Sequence, residues 1–178
     1  MWIYEKKLQY PVKIKNPNPR LAGVIISQLG GPDGELGAAT RYLNQRYTMP
    51  SGEGIGMLTD IGNEELNHVE MIGAILYQLT KNLTPEEIKA GGMDKYFVDH
   101  TLGVYPASAD GVPFDAKYLA SKGDVLADLH EDLAADAAIT QMQPLAKIAE
   151  SPCKIRIFHT SAKRSKIAIL RFPKSNNT

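Results

Sequence analysis

At 178 residues the chain is about one domain long, and its 43% apolar content is ordinary for a soluble globular protein and sufficient for one core. The single cysteine, Cys153, excludes an internal disulfide and suits a reducing compartment, while the absence of any apolar run of membrane-spanning length excludes an expected bilayer helix. Twenty basic and 20 acidic residues cancel overall, but residues 151–178 carry seven basic side chains and no acidic one, which leaves residues 1–150 with a net of −7. The opening Met1–Lys7 has no hydrophobic core of a signal peptide, so a cytoplasmic location is the expectation.

Residues 1–18 are polar and punctuated by Pro11 and Pro17. They read as an extended arm that packs Trp2 and Tyr4 on the body. Leu21, Val24 and Ile25 at helical spacing predict a helix from Arg20 to about Gln28, broken by Gly30-Gly31-Pro32. A second helix is predicted from Pro32 to Tyr47, because proline suits a first helical position and Asp33 a first turn. Its apolar, small-residue face carries Glu35, Ala38, Ala39, Tyr42 and Leu43. Glu35 there reads either as a carboxylate placed for the helix dipole or as an inward ligand.

After a loop at Met49–Gly54, a long helix is predicted to about Lys81. Leu58, Ile61, Ile72, Ile75, Leu76 and Leu79 form its apolar stripe. Glu65 and His68, three residues apart, fall in the gap of that stripe, whereas Glu64, Asn67 and Glu70 fall outside it. Glu-x-x-His also occurs by chance on wetted faces. On a buried face, however, a carboxylate requires a partner, and a metal cation supplies one. The same motif on inward faces of helical bundles holds paired iron or manganese ions.

Thr84-Pro85-Glu86-Glu87 predicts a short helix with a capping box, ended by Gly91-Gly92. Residues 93–120 are rich in Gly, Pro and Asp with scattered aromatics, and read as a long ordered excursion; His100 there reads as a surface histidine. Helix returns from about Ser121 to Gln141 on a stripe of Leu126, Leu129, Leu133 and Ala137, with Asp136 beside it among alanines. Pro144 is expected to end or kink that helix. From Cys153 onward the alternation of apolar and basic residues suits strands better than helices. The basic charges lack interleaved aromatics, so a nucleic-acid function is set aside.

Across residues 1 to about 136 the chain resembles the manganese catalase family, and within it the small spore-coat CotJC-like branch. The resemblance rests on the opening Met1–Pro11, on Gly30-Gly31-Pro32-Asp33-Gly34-Glu35-Leu36, on Arg41–Tyr47 and on Leu58–Met71, extended by Ala109–Phe114 and Ala127-Asp128-Leu129. It implies an all-α, ferritin-like four-helix bundle, a pair of manganese ions, and disproportionation of hydrogen peroxide to water and dioxygen. Glu35, Glu65 and His68 would be metal ligands, with Glu65 bridging and Tyr42 near Glu35; Glu35, Glu65 and Tyr42 would be the catalytic residues. The second ion would take a carboxylate from Asp136, one methylene shorter than the family's glutamate, and a histidine 33 residues later, where this chain has Ile169. His159 is out of register. The residues therefore provide for one manganese more completely than for two.

The organisation this implies is a catalase-type domain over 1–150, with the arm at 1–18 and the excursion at 93–120, followed by an aberrant basic tail at 151–178 in which the fourth helix is disrupted. A reading-frame change near residue 137, or decay of the last quarter, is the expected origin, and resequencing the coding DNA tests it. The alternative function is a non-enzymatic component of the spore coat. Hydrogen peroxide, further copies of the chain and other coat proteins are the expected partners, in the cytoplasm or the coat, with neither nucleic acid nor membrane.

Overall fold

The computed structural model describes residues 3–5, 7, 8, 10–96, 104 and 106–146, with side chains as far as 135. The expectations for Trp2, His100 and Cys153 to Thr178, including a fourth helix or strands there, lie outside the described residues. Among the described residues there is no β-strand, only one isolated antiparallel bridge between Ala107 and Pro113.

The chain begins as an arm laid along a long helix. Asn18 then caps α1 (Pro19–Ile25), its side chain accepting from Leu21 N at 3.0 Å, with Pro19 in the first turn. Ile26 joins α1 to α2 (Ser27–Gly30) with little interruption, since its N–H reaches Ala22 O at 2.9 Å. Residues 31–34 form a turn closed by Gly34 N to Gly31 O at 3.0 Å, so α3 (Glu35–Gln45) starts three residues later than the Pro32 expected. Its last turn tightens into a 3-10 turn, Arg46–Thr48. Ser51 caps α4 (Gly52–Thr80), accepting from Gly54 N at 3.2 Å. Thr84 and Glu87 close the predicted capping box on α5 (Pro85–Ala90). The excursion contains 3-10 turns at Asp94–Tyr96 and Ala116–Leu119.

The last described helix, α6 (Val125–Ala146), begins four residues beyond the expected Ser121 because Asp124 caps it, accepting from Ala127 N at 2.8 Å. It is still helical at Ala146, the last described residue, and so does not stop at Pro144.

Two apolar clusters flank a polar interval. Ala22, Ile25, Ile26 and Leu29 of the first helices pack on Ile72, Leu76 and Leu79 of α4. Ala38 and Tyr42 of α3 pack with Leu58 and Ile61 of α4 and Leu129 of α6. Glu65 and His68 lie on α4 between Ile61 and Ile72, hence between the clusters. The helices α3 and α4 pass close together where Gly62 meets Leu43: a Cβ on Gly62 would come within 2.6 Å of Leu43 Cγ and 3.3 Å of its backbone N. The arm is fixed along α4 by Ile14 N to Gln78 Oε1 at 2.7 Å, Gln78 Nε2 to Val12 O at 2.9 Å, and Asn18 N to Leu79 O at 2.8 Å. Tyr4 donates to Glu70 but stays 52% exposed, so it touches the body by its hydroxyl rather than by burying its ring.

Candidate metal centre

Glu35, Glu65 and His68 converge between α3 and α4. One ligand atom from each lies within 4.8 Å of the others, and the residues are 1%, 3% and 0% exposed. Glu35 reaches the site from the first position of α3, while the three-residue spacing on α4 puts Glu65 and His68 on one face. His68 Nδ1 is 2.5 Å from Glu65 Oε2 and 3.6 Å from Glu35 Oε2. That second distance is beyond hydrogen-bond reach. Glu35 Oε2 has no hydrogen-bond partner among the described residues.

The electrostatics follow from this crowding. Burial, and secondly the charge of Glu65, hold the Glu35 carboxyl well above its ordinary 4.5. Burial alone would depress His68, but the adjacent carboxylates of Glu35 and Glu65, the latter within hydrogen-bond reach, raise it to about 10. Two carboxylates therefore face each other in a dry site with one imidazole between them. A divalent cation neutralises the carboxylates and gives Glu35 Oε2 the partner it lacks. Carboxylate oxygen and imidazole nitrogen suit manganese. The donor set fits that ion.

Tyr42 is 1% exposed, two turns along α3 from Glu35 in the same inward sector, among Ala38, Leu58, Ile61 and Leu129. Asp136 lies on α6, and its side chain is outside the described residues. The predicted leucine stripe of α6 is rotated from the face that is buried. Leu126 is 52% exposed and Leu133 half-buried, whereas Asp128, Leu129, Asp132 and Ala135 are buried. Asp128 and Asp132 were thus missed by a reading that followed the leucines. Their spacing carried a signal, because Asp128, Asp132 and Asp136 recur every four residues and share one helix face. Arg41 was also missed. It is buried on α3, with Nε donating to Leu119 O and Nη2 to Tyr118 O, each at 2.9 Å.

A helical bundle with buried carboxylates and an imidazole on facing helices is the arrangement by which ferritin-like proteins hold paired metal ions. The comparisons narrow this class. Residues 1–157 match the family of manganese-containing catalases, and the chain belongs to that family. It is 52% identical to protein CotJC of Bacillus subtilis over 153 residues, 85% of this chain and 80% of that protein. It is 33% identical to a manganese catalase of Bacillus subtilis over 150 residues, 77% of this chain and 55% of that enzyme. KatB, a manganese catalase from Anabaena, superposes with a TM-score of 0.78 at 30% identity, covering 96% of this chain and 77% of KatB. The chain thus spans most of CotJC but about half of that Bacillus catalase. The family's metal is manganese, and its ferritin-like helical fold is the one observed. No helix among the described residues is long and apolar enough to cross a membrane.

Proposed function

We propose that this protein disproportionates hydrogen peroxide, two molecules giving two of water and one of dioxygen, at a manganese centre built on Glu35, Glu65 and His68. The observation that carries the reading is the meeting of two buried carboxylates and an imidazole, one carboxylate oxygen having no hydrogen bond. A manganese pair, when bound, supplies the two-electron change that alternately oxidises and reduces peroxide. Glu65, beside His68 and facing Glu35, would be the carboxylate shared by the ions, and Asp136, on α6, would be the further oxygen ligand of the second. Burial and the charge of Glu65 favour the neutral form of the Glu35 carboxyl, so Glu35 is the group that would take a proton from the peroxide being oxidised and pass it to the water formed from the other. The apolar walls of Ala38, Leu58 and Ile61 keep bulk water from that exchange. Tyr42 borders these walls and, two turns along α3 from Glu35, would be the residue next to it that the resemblance implies.

Protein CotJC is the basis of a second reading, a structural component of the spore coat in which metal turnover is secondary. Ile169, where the resemblance calls for a histidine, favours it. Elemental analysis of purified protein, paired with oxygen evolution from peroxide, separates the readings. Two manganese ions per chain with gas support the enzyme; none or one without gas supports the scaffold. Further copies of the chain or coat proteins are the partners of either.

A further inference from the structure

We infer that Arg41 and Asp128 are positioning residues of the metal centre: they clamp the short segment between residues 118 and 123 and thereby set how close α6 stands to Glu35. The inference rests on the proposed manganese pair.

Arg41 holds one end of the segment through the carbonyls of Tyr118 and Leu119. Asp128 holds the other end, accepting from Lys122 N at 2.6 Å and Gly123 N at 3.1 Å. Only Ala120 and Ser121 lie between the clamped pairs, and Ala120 is in the left-handed region at φ 51°, which fixes the turn. Both charged side chains are buried, 3% and 0% exposed, and their partners are peptide groups rather than opposite charges. A guanidinium forking onto two carbonyls and a carboxylate straddling two amides each constrain direction as well as distance.

The consequence lies in what each helix carries. Arg41 shares α3 with Glu35 and Tyr42; Asp128 shares α6 with buried Asp132 and, one turn further in register, Asp136. The helices α3 and α4 have their own means of alignment, in the Gly62–Leu43 approach and the short loop at 46–51. Leu129 and Val125 attach α6 to the core through apolar contacts, which leave its rotation and height loosely specified. The clamp supplies the missing restraint. It acts on the ion that draws a ligand from α6 and not on the ion held by α3 and α4.

The test uses the full chain reconstituted with Mn(II), as wild type, Asp128→Asn, Arg41→Met and Arg41→Lys. The readouts are manganese per chain, stepwise affinities, and the low-temperature electron paramagnetic resonance signal, which separates coupled pairs from isolated ions. Circular dichroism establishes that each variant is folded. The expected result is a pair in the wild type, with the second ion weakened about 10-fold or more in Asp128→Asn and Arg41→Met and the coupled signal replaced by that of single ions. The first ion keeps its affinity, and Arg41→Lys recovers part of the second. Folded variants that bind a coupled pair as well as wild type overturn the clamp and leave the proposed function standing. Folded variants that lose both ions together also overturn it, since the effect is then not confined to α6. A wild type binding fewer than two ions removes the pair itself, and with it both the clamp and the catalase reading, leaving the spore-coat reading.

Discussion

Arg41 and Glu35 sit on the same helix and both are buried, yet they are accommodated in different ways. Around Arg41 the chain brings two carbonyls to 2.9 Å, and around Asp128 two amides, so each charge is satisfied by backbone that is already ordered. Around Glu35 the chain brings another carboxylate and an imidazole too far for a hydrogen bond. A buried charge met by peptide dipoles is complete as it stands, whereas like charges gathered in a dry space are complete only with a cation. The first arrangement belongs to architecture and the second to function, although composition and burial alone do not distinguish them.

The sharpest way to break this contrast is to remove the carboxylate that both neighbours share. Glu65→Ala should reduce manganese to background while the helical signal persists, because it deletes the group facing Glu35 and the hydrogen-bond partner of His68 together. Manganese retained at the wild-type level by elemental analysis would place the centre elsewhere and end the catalytic reading.

Next in size is the response to pH. In the metal-free fold His68 holds its proton to about pH 10 against 6.5 for the ordinary group, so its contribution to stability is full below pH 6.5 and is lost as pH rises through about 10. Glu35, raised above 4.5 first by burial and then by Glu65, has the same sign: its contribution is greatest below 4.5 and declines as pH rises through its elevated value. Manganese competes with those protons, so the stabilisation it confers should grow as pH rises. Thermal melts under argon between about pH 5 and pH 9, with and without saturating Mn(II), should therefore diverge toward alkali. Parallel curves would mean that the ion does not displace these protons.

Single substitutions on α3 should then move stability in opposite directions. Arg41→Met leaves the carbonyls of Tyr118 and Leu119 without their donors and should lower the unfolding free energy by about 1–3 kcal/mol. Glu35→Gln removes one of two repelling carboxylates and should raise that of the metal-free protein, by roughly 1 kcal/mol, while weakening manganese binding. Denaturant titration of the metal-free forms measures both. A Glu35→Gln protein less stable than wild type would show that Glu35 is already satisfied without metal.

These pairs also show what was legible in the residue order. Glu35, Glu65 and His68 could be picked out because helical periodicity turns a gap in an apolar stripe into a place in the core. Asp128 and Asp132 were hidden by the leucines of α6, whose stripe is not the buried face; the burial of Asp128 is fixed by amides five and six residues before it and that of Leu129 by two other helices. Arg41 was illegible for a more general reason. Its partners are 77 and 78 residues away, and no local spacing encodes such a pairing. The start of α3 was misplaced by three residues because Pro32 and Asp33 suit a turn as well as a helix start, and Gly34 takes the capping position.

The smallest effect provides the control for the contrast. Thr84 and Glu87 satisfy the exposed backbone at the head of α5, a helix with no fully buried residue, and here too side chains meet peptide groups. Thr84→Ala should cost about 1 kcal/mol or less, since water can replace the lost partner at an exposed helix end. Manganese affinity should not change. A loss of metal in Thr84→Ala, read by the same titration as the clamp variants, would mean that general loosening of the fold suffices to empty the centre. Unchanged binding leaves the distinction resting where the geometry puts it, on whether the captured backbone lies between the helices that carry the carboxylates.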